Sequence, residues 1–347
     1  MNARQPLLFD GAFGTYYYKL NPGLSPCELA NLETPELVRR IHREYIDAGA
    51  QALKTNTYGA NPFALGDWET VSRVVERGYV LAKEAAGDQA FVYADVGYCG
   101  EDEEQPEVYR RLAARFISLG ADRFLFETFG ELEPLLPALR EIREQRPNAH
   151  VIVSFAVSQD GFTAKGQEYR TLIRQAAQNP CIDWVGMNCV CGPAHMIRLM
   201  EALPLETMSF CSMPNAGYPA SIGGRTVFRD NAGYFAEKLK RIADMGAAAV
   251  GGCCGTTPEH IRQAAQMLSG AGTAPAVRRT ATSIPEEPPR VPPFWEKAEG
   301  KKAVLIELDP PADSSIAPLL EQAKQLKQSG ADVLTLGDSP LARTRAD

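Results

Sequence analysis

Two adjacent cysteines lie between glycines in Gly251-Gly252-Cys253-Cys254-Gly255, and Thr256-Thr257-Pro258-Glu259 follows at once. Vicinal thiols close a disulfide on each other only through a strained eight-membered ring, and flanking glycines let the backbone wrap closely around a bound ion. That chemistry suits a soft metal such as zinc. The competing reading is a pair of core cysteines, since free cysteine is among the most buried residue types. A second stretch, Gly186-Met187-Asn188-Cys189-Val190-Cys191-Gly192-Pro193, has the same form of strand, cysteine and helix start, and it tips the balance toward a metal.

Zinc takes thiolates readily, and a catalytic site keeps three protein ligands with the fourth position open. Cys189, Cys253 and Cys254 meet that count. Three thiolates outweigh the charge of the ion, so an incoming thiol is held as a thiolate that stays nucleophilic. Such a site suits alkyl transfer to a thiol; it suits water activation less, because a sulfur shell makes the metal a poorer Lewis acid than histidines do. Cys191 competes with Cys189, since in an extended segment the two would share a side. On the residues alone the choice between them is even. Cys27, Cys99, Cys181 and Cys211 have no spacing partner and read as core or loop residues. His42, His195 and His260 fall in helical patterns and His150 at a strand start, which makes them structural or solvent-facing.

These residues need elements to hold them. Eight short apolar runs alternate with amphipathic segments: 7–10, 52–57, 91–96, 123–128, 151–157, 184–189, 208–213 and 247–253. Thr34-Pro35-Glu36 and Thr257-Pro258-Glu259 read as helix starts, and Gly49-Ala50, Gly120-Ala121 and Gly246-Ala247 as helix-to-strand turns. Eight βα units with nearly continuous apolar strands predict a (β/α)₈ TIM barrel, with a doubly wound open sheet as runner-up. Chemistry in such a barrel gathers at the carboxyl ends of the strands. There stand Asp10-Gly11-Ala12, Lys54-Thr55-Asn56-Thr57-Tyr58, Glu127-Thr128, Asn188-Cys189, Pro214-Asn215-Ala216-Gly217 and Cys253-Cys254. Glu127 at the end of an apolar strand must be paired or aimed at something polar. It reads either as a salt bridge at the barrel mouth or as a clamp for an amino group. Asp10 can serve similarly, and the amides of the Gly11–Thr15 turn can hold a carboxylate, although an ordinary turn uses the same residues. Asn188 is also the kind of residue that caps a following helix.

The 347 residues suffice for a barrel and an extension. A net charge of −7 without any Lys/Arg block argues against nucleic acid and anionic membranes as partners. The N-terminus lacks a signal-peptide pattern, no run approaches the ~18 apolar residues of a membrane span, and eight cysteines without a leader read as reduced thiols; the expected compartment is the cytoplasm. Residues 1–270 are expected to form the barrel, 271–302 a Pro-rich linker, and 303–347 a short βαβ fragment that opens a further domain.

With these residues placed, the sequence resembles the homocysteine S-methyltransferase family. The matching motifs are Asp10-Gly-Ala-Phe-Gly-Thr15, Thr55-Asn-Thr-Tyr58, Glu127-Thr128, Gly186-Met-Asn-Cys189, Pro214-Asn-Ala-Gly217 and Gly251-Gly-Cys-Cys-Gly-Thr256, across residues 6–268. The resemblance implies Zn²⁺ on Cys189, Cys253 and Cys254. It also implies homocysteine held by Asp10, Glu127, Asn188 and main-chain groups of the first loop, Gly11 and Ala12 among them, and methylated to methionine. The tail is similar to the opening of methylenetetrahydrofolate reductases, in Glu307-Leu-Asp-Pro-Pro311 and Gly337-Asp-Ser-Pro-Leu-Ala-Arg343. This implies a bifunctional protein, with FAD only where the full reductase domain is present and no reductase activity from residues 1–347. Betaine-using relatives are expected to carry aromatics where this chain has Gly59 and Thr128. The remaining donors are a methylfolate, a methylcorrinoid, S-methylmethionine and S-adenosylmethionine. A zinc-dependent hydrolase on the same barrel and a purely structural zinc scaffold are the competing functions.

Overall fold

The apolar runs pair as one parallel sheet that closes on itself. In a computed structural model that describes residues 5–23, 25–100, 104–217, 219–222, 225–228, 231–269, 304–308 and 317–336, the barrel strands are β1 (Leu7–Leu8), β2 (Ala52–Lys54), β3 (Phe91–Gly97), β4 (Arg123–Phe129), β5 (His150–Phe155), β6 (Trp184–Asn188), β7 (Phe210–Met213) and β10 (Ala249–Val250). Their order is β1-β10-β7-β6-β5-β4-β3-β2, and a parallel bridge between Phe9 and Ala52 joins the two ends. That bridge decides against the open sheet. The fold is a (β/α)₈ TIM barrel.

Each strand is followed by a helix on the outside: α3 (Pro35–Asp47), α5 (Trp68–Ala86), α6 (Gln105–Ser118), α7 (Leu136–Gln145), α8 (Tyr169–Ala177), α9 (Pro193–Glu201), α10 (Ala232–Asp244) and α11 (Pro258–Ser269). Three shorter helices, α1 (Phe13–Leu20), α2 (Ala30–Glu33) and α4 (Pro62–Leu65), lie in the loops after β1 and β2. The helices form because their apolar residues recur at helical spacing. On α3, Val38, Ile41, His42 and Tyr45 are buried, one face of a 3.6-residue period laid on the strands. Burying Ile41 contributes about 1.5–3 kcal/mol. The turns at Gly49, Gly120 and Gly246 have φ of 103°, 85° and 105°, a region open to glycine, and each places a buried alanine at the next strand.

Inside the barrel, Phe9, Ala52, Tyr93, Leu125, Ile152, Cys211, Met213 and Ala249 form an apolar cluster separate from the larger one between strands and helices. Side chains alternate faces along a strand, so the residues two further on also point inward. These are Lys54, Asp95, Glu127 and Ser154, all buried. A charged layer therefore sits on the apolar plug, toward the carboxyl ends of the strands.

Two features differ from the sequence reading. Strands β2 and β10 are shorter than expected, because the chain leaves the sheet to build the site: Thr57 N turns back to Thr55 O at 2.9 Å, and Cys253 N reaches Pro214 O at 2.9 Å. An antiparallel hairpin, β8 (Pro219–Ile222) and β9 (Arg225–Phe228), stands between β7 and α10, outside the eight runs read from the sequence.

The chain divides into two units, Met1–Ala276 and Val277–Asp347. In the second, β11 (Leu305–Leu308) pairs in parallel with β12 (Val333–Leu336), and α12 (Ala317–Gln328) connects them. This is the βαβ order read from the sequence; the expected linker, 271–302, lies outside the described residues. No described helix is long and apolar enough to cross a membrane.

Candidate functional site

Strands β6 and β10 end in the cysteine stretches, and the segment after β7 ties them together. Cys189 N bonds Met213 O at 3.1 Å, Cys253 N bonds Pro214 O at 2.9 Å, and Ala216 N bonds Cys254 O at 2.9 Å. As a result the Sγ atoms of Cys189, Cys253 and Cys254 lie within 4.8 Å of one another, with Cys189 and Cys254 at 3.7 Å. A tetrahedral zinc with Zn–S of about 2.3 Å sets its sulfurs about 3.8 Å apart, so the donor set and spacing fit that ion. Among the described residues no other trio of metal-ligating side chains comes together. Hydrogen bonds from the Cys253 and Cys254 thiols hold the Cys189 thiol far below its usual range, to about 3. The Cys189 sulfur in turn pushes both partners up, Cys253 to about 11. The cluster thus gathers negative charge on one sulfur.

Cys191 is not part of it. The expectation that Cys189 and Cys191 share a side rested on extended backbone, but Cys189 and Val190 have φ of 56° and 55°, in the left-handed region. The chain twists, and the buried Cys191 thiol donates to Val157 O at 3.2 Å. Asn188 does not cap the next helix either: α9 has Gly192 at its N-cap and no side-chain cap bond. Instead Asn188 Oδ1 accepts from Thr128 N at 2.9 Å and Ser154 Oγ at 2.8 Å, while Nδ2 donates to Thr128 Oγ1 at 2.8 Å and Glu127 Oε2 at 3.4 Å.

Thr256 fixes the cysteine loop to the first loop. Its hydroxyl donates to Cys253 O at 2.7 Å and accepts from Ala12 N at 2.9 Å, and Tyr45 Oη donates to Ala12 O at 2.7 Å. A Cβ on Gly252 would meet Thr256 Oγ1 at 2.4 Å, so glycine is required there by close approach. The Ala12 amide is therefore bonded to Thr256 in this structure. The amides of Gly11, Phe13 and Gly14 have no acceptor among the described residues.

The acids converge around a lysine that the sequence reading named at the end of its strand without giving it a role. Lys54 Nζ lies 3.6 Å from Glu127 Oε2 and 3.3 Å from Gly252 O, and Lys54 N donates to Asp10 Oδ2 at 3.1 Å. The mouth salt bridge considered for Glu127 is thus present. Asp95, not singled out there, is buried with Oδ1 unpartnered, as is Asp10 Oδ1. Burial raises Asp10 and Glu127 to about 7 although Lys54 opposes the rise, and it raises Asp95 well above the carboxylate range. Burial also works against the Lys54 ammonium, but Glu127 and Asp10 more than offset it and hold its pKa above the ordinary value. The signal for both residues was register: each is two positions beyond an inward apolar residue, Ala52 or Tyr93.

The model of the family described as homocysteine S-methyltransferase matches residues 7–268, which contain every one of these groups. The chain belongs to the homocysteine S-methyltransferase family. Relatives include the methionine synthases of Mycobacterium leprae (strain TN), 31% identical over 316 residues, and of Mycobacterium tuberculosis (strain ATCC 25618 / H37Rv), 30% identical over 316 residues. Both alignments cover 82% of this chain and 26% of the relative, so the chain spans about a quarter of their length. The homocysteine methyltransferase MmuM from Escherichia coli shares the fold. Its metallated form has a TM-score of 0.63 at 22% identity, covering 76% of this chain and 96% of that one. Its apo form gives 0.60 at 23% identity with the same coverage.

Proposed function

We propose that this barrel transfers a methyl group to the sulfur of homocysteine, giving methionine, and that it uses zinc held by Cys189, Cys253 and Cys254. The observation that carries the reading is the convergence of three sulfurs within 4.8 Å beside an acid layer. When bound, zinc would lower the pKa of a substrate thiol and keep it as a thiolate at neutral pH.

The chain's own residues do the rest. Glu127 Oε2 is held by Lys54 and Asn188, while Oε1 has no partner among the described residues and is open to the substrate ammonium. Asp10 Oδ1 is a second acceptor for it. The amides of Phe13 and Gly14, at the N-terminus of α1, are placed for the carboxylate, where the helix dipole adds to their attraction. Held at both ends, the amino acid presents its sulfur toward the mouth. There it attacks a methyl group in line: the S–CH₃ bond forms as the donor–CH₃ bond breaks, and the electron pair stays on the donor.

The donor is a methylfolate, a methylcorrinoid, S-methylmethionine or S-adenosylmethionine. Similarity to methionine synthases favours the first two. The second unit is proposed as the start of a methylenetetrahydrofolate reductase-like domain after a boundary near residue 270, which would bind FAD only when complete. The cytoplasm is the proposed compartment. Incubating the zinc-loaded protein with homocysteine and each donor in turn tests the reading: methionine should form with at least one donor and should vanish on Cys253→Ala. Methionine formation undiminished in C253A would refute the zinc assignment.

A further inference from the structure

Among the described residues, Lys54 is the one cation in a buried layer that also holds Asp10, Asp95 and Glu127. We propose that Lys54 is a positioning residue that selects for amino-acid thiols: by pairing with one oxygen of Glu127 it favours the carboxylate form and leaves the other oxygen turned to the substrate ammonium. The proposal rests on the homocysteine reading above.

Three features carry it. First, Lys54 is on the inward face of β2, two residues beyond Ala52 of the apolar plug, so its side chain rises into the floor of the mouth and not into solvent. Its Nζ is anchored by Gly252 O at 3.3 Å, at the base of the cysteine loop. Second, Lys54 and Asn188 meet Glu127 at the same atom, Oε2, at 3.6 Å and 3.4 Å. An ammonium and an amide N–H on the same oxygen hold Oε2 in place and leave Oε1 to a ligand. Third, the charge count is one-sided. Without the lysine, three buried acids would stand beside the cysteine cluster with no countercharge, and buried carboxylates in that position take up protons instead of ionising. A neutral Glu127 binds an ammonium weakly. Lys54 therefore does not compete with the substrate for Glu127; it prepares the carboxylate that the substrate meets.

The test compares two thiols that differ only in the amino group, homocysteine and 4-mercaptobutyrate. Binding to the zinc-loaded protein is measured by calorimetry for wild type, Lys54→Met, Lys54→Arg, Glu127→Gln and the double variant K54M/E127Q. Wild type should prefer homocysteine. K54M should lose about tenfold in homocysteine affinity, the scale of one charge-assisted hydrogen bond, and bind 4-mercaptobutyrate as wild type does. K54R should recover most of the preference. Should K54M fail to fold, the neutral-pair variant K54M/E127Q and E127Q carry the test, since Lys54 acting through Glu127 predicts equal preference in the two. An equal loss for both thiols in K54M, or a preference in K54M/E127Q lower than in E127Q, overturns the proposal. A wild type that binds 4-mercaptobutyrate as tightly as homocysteine overturns the Glu127 clamp, and this proposal with it. A wild type that binds neither thiol sinks the homocysteine reading itself.

Discussion

Asn188 and Thr128 hold each other at two points: Asn188 Oδ1 takes the Thr128 amide at 2.9 Å and Asn188 Nδ2 reaches Thr128 Oγ1 at 2.8 Å. Thr128 needs this hold, because its φ is 69°, a conformation unfavourable for a β-branched residue. Asn188→Ala leaves the Thr128 amide and the Ser154 hydroxyl without their acceptor, at a cost of about 2 kcal/mol. Asn188→Asp keeps the acceptor but sets a second acid against Glu127 Oε2. N188D is therefore expected to lower the midpoint of urea unfolding, because it buries a further acid, and to bind homocysteine more weakly. Wild-type affinity in N188D would show that Asn188 does not act on Glu127.

The ionisation of Glu127 gives opposite pH trends for stability and for binding. Burial raises its pKa from 4.5 to about 7 in the folded chain. The folded state then holds the proton more tightly than the unfolded state, so the group's contribution to stability is full below 4.5 and is lost as the pH climbs to about 7. Binding runs the other way, because only the carboxylate pairs with an ammonium. Homocysteine affinity should rise through about pH 7 while the melting temperature of the ligand-free protein falls across the window below it. Glu127→Gln should make both profiles shallower, the remaining slope belonging to Asp10, which burial also raises to about 7. Titration calorimetry and thermal melts from pH 5 to 8 measure the two trends.

The sequence made the barrel legible because every buried strand is a short apolar run and every helix carries its spacing, as on α3. The vicinal pair Cys253-Cys254 was legible through its glycine context and Glu127 through its place at the end of such a run, whereas the choice of Cys189 over Cys191 came from the family resemblance. What escaped depends on turning of the backbone and on register. Two consecutive left-handed residues at Cys189 and Val190 send Cys191 away from the cluster, and neither residue type announces that conformation. Lys54 was named at the end of its strand but given no role, and Asp95 was not singled out, because the inward parity of each with its apolar neighbour, Ala52 or Tyr93, was not counted. The use of the Ala12 amide by Thr256 joins residues 244 positions apart, beyond any local pattern.

Val190 stores strain beside a cluster sulfur. Its φ is 55° and its side chain is 42% exposed, so it is held left-handed without burial to offset the cost. A β-branched residue there costs about 1–2 kcal/mol, of which glycine would relieve part after its own loss of chain entropy. Val190→Gly is expected to raise stability by up to about 1 kcal/mol in urea unfolding. It should also loosen Cys189 and weaken zinc retention against a chelator. A variant both more stable and equally retentive would show that the strain plays no part in placing the sulfur.

Cys189 and Cys191 make the sharpest comparison, because they are two residues apart and their thiols have different partners. The Cys189 sulfur lies 3.7 Å from Cys254 Sγ, whereas the Cys191 thiol donates to Val157 O inside the core. Cys189→Ala and Cys254→Ala should each lose stoichiometric zinc and methyl transfer together while the melting temperature stays close to that of the metal-free wild type. Cys191→Ala should keep zinc and activity and lose about 1 kcal/mol of stability from the emptied core space. Chelation should leave the far-ultraviolet circular dichroism of the wild type unchanged, since the sulfurs stand on strand-end loops and the apolar clusters do not depend on them; a structural zinc would unfold on the same treatment. Metal analysis of the three variants with thermal melts reads all of this at once. Zinc lost from C191A and kept by C189A would reverse the ligand assignment.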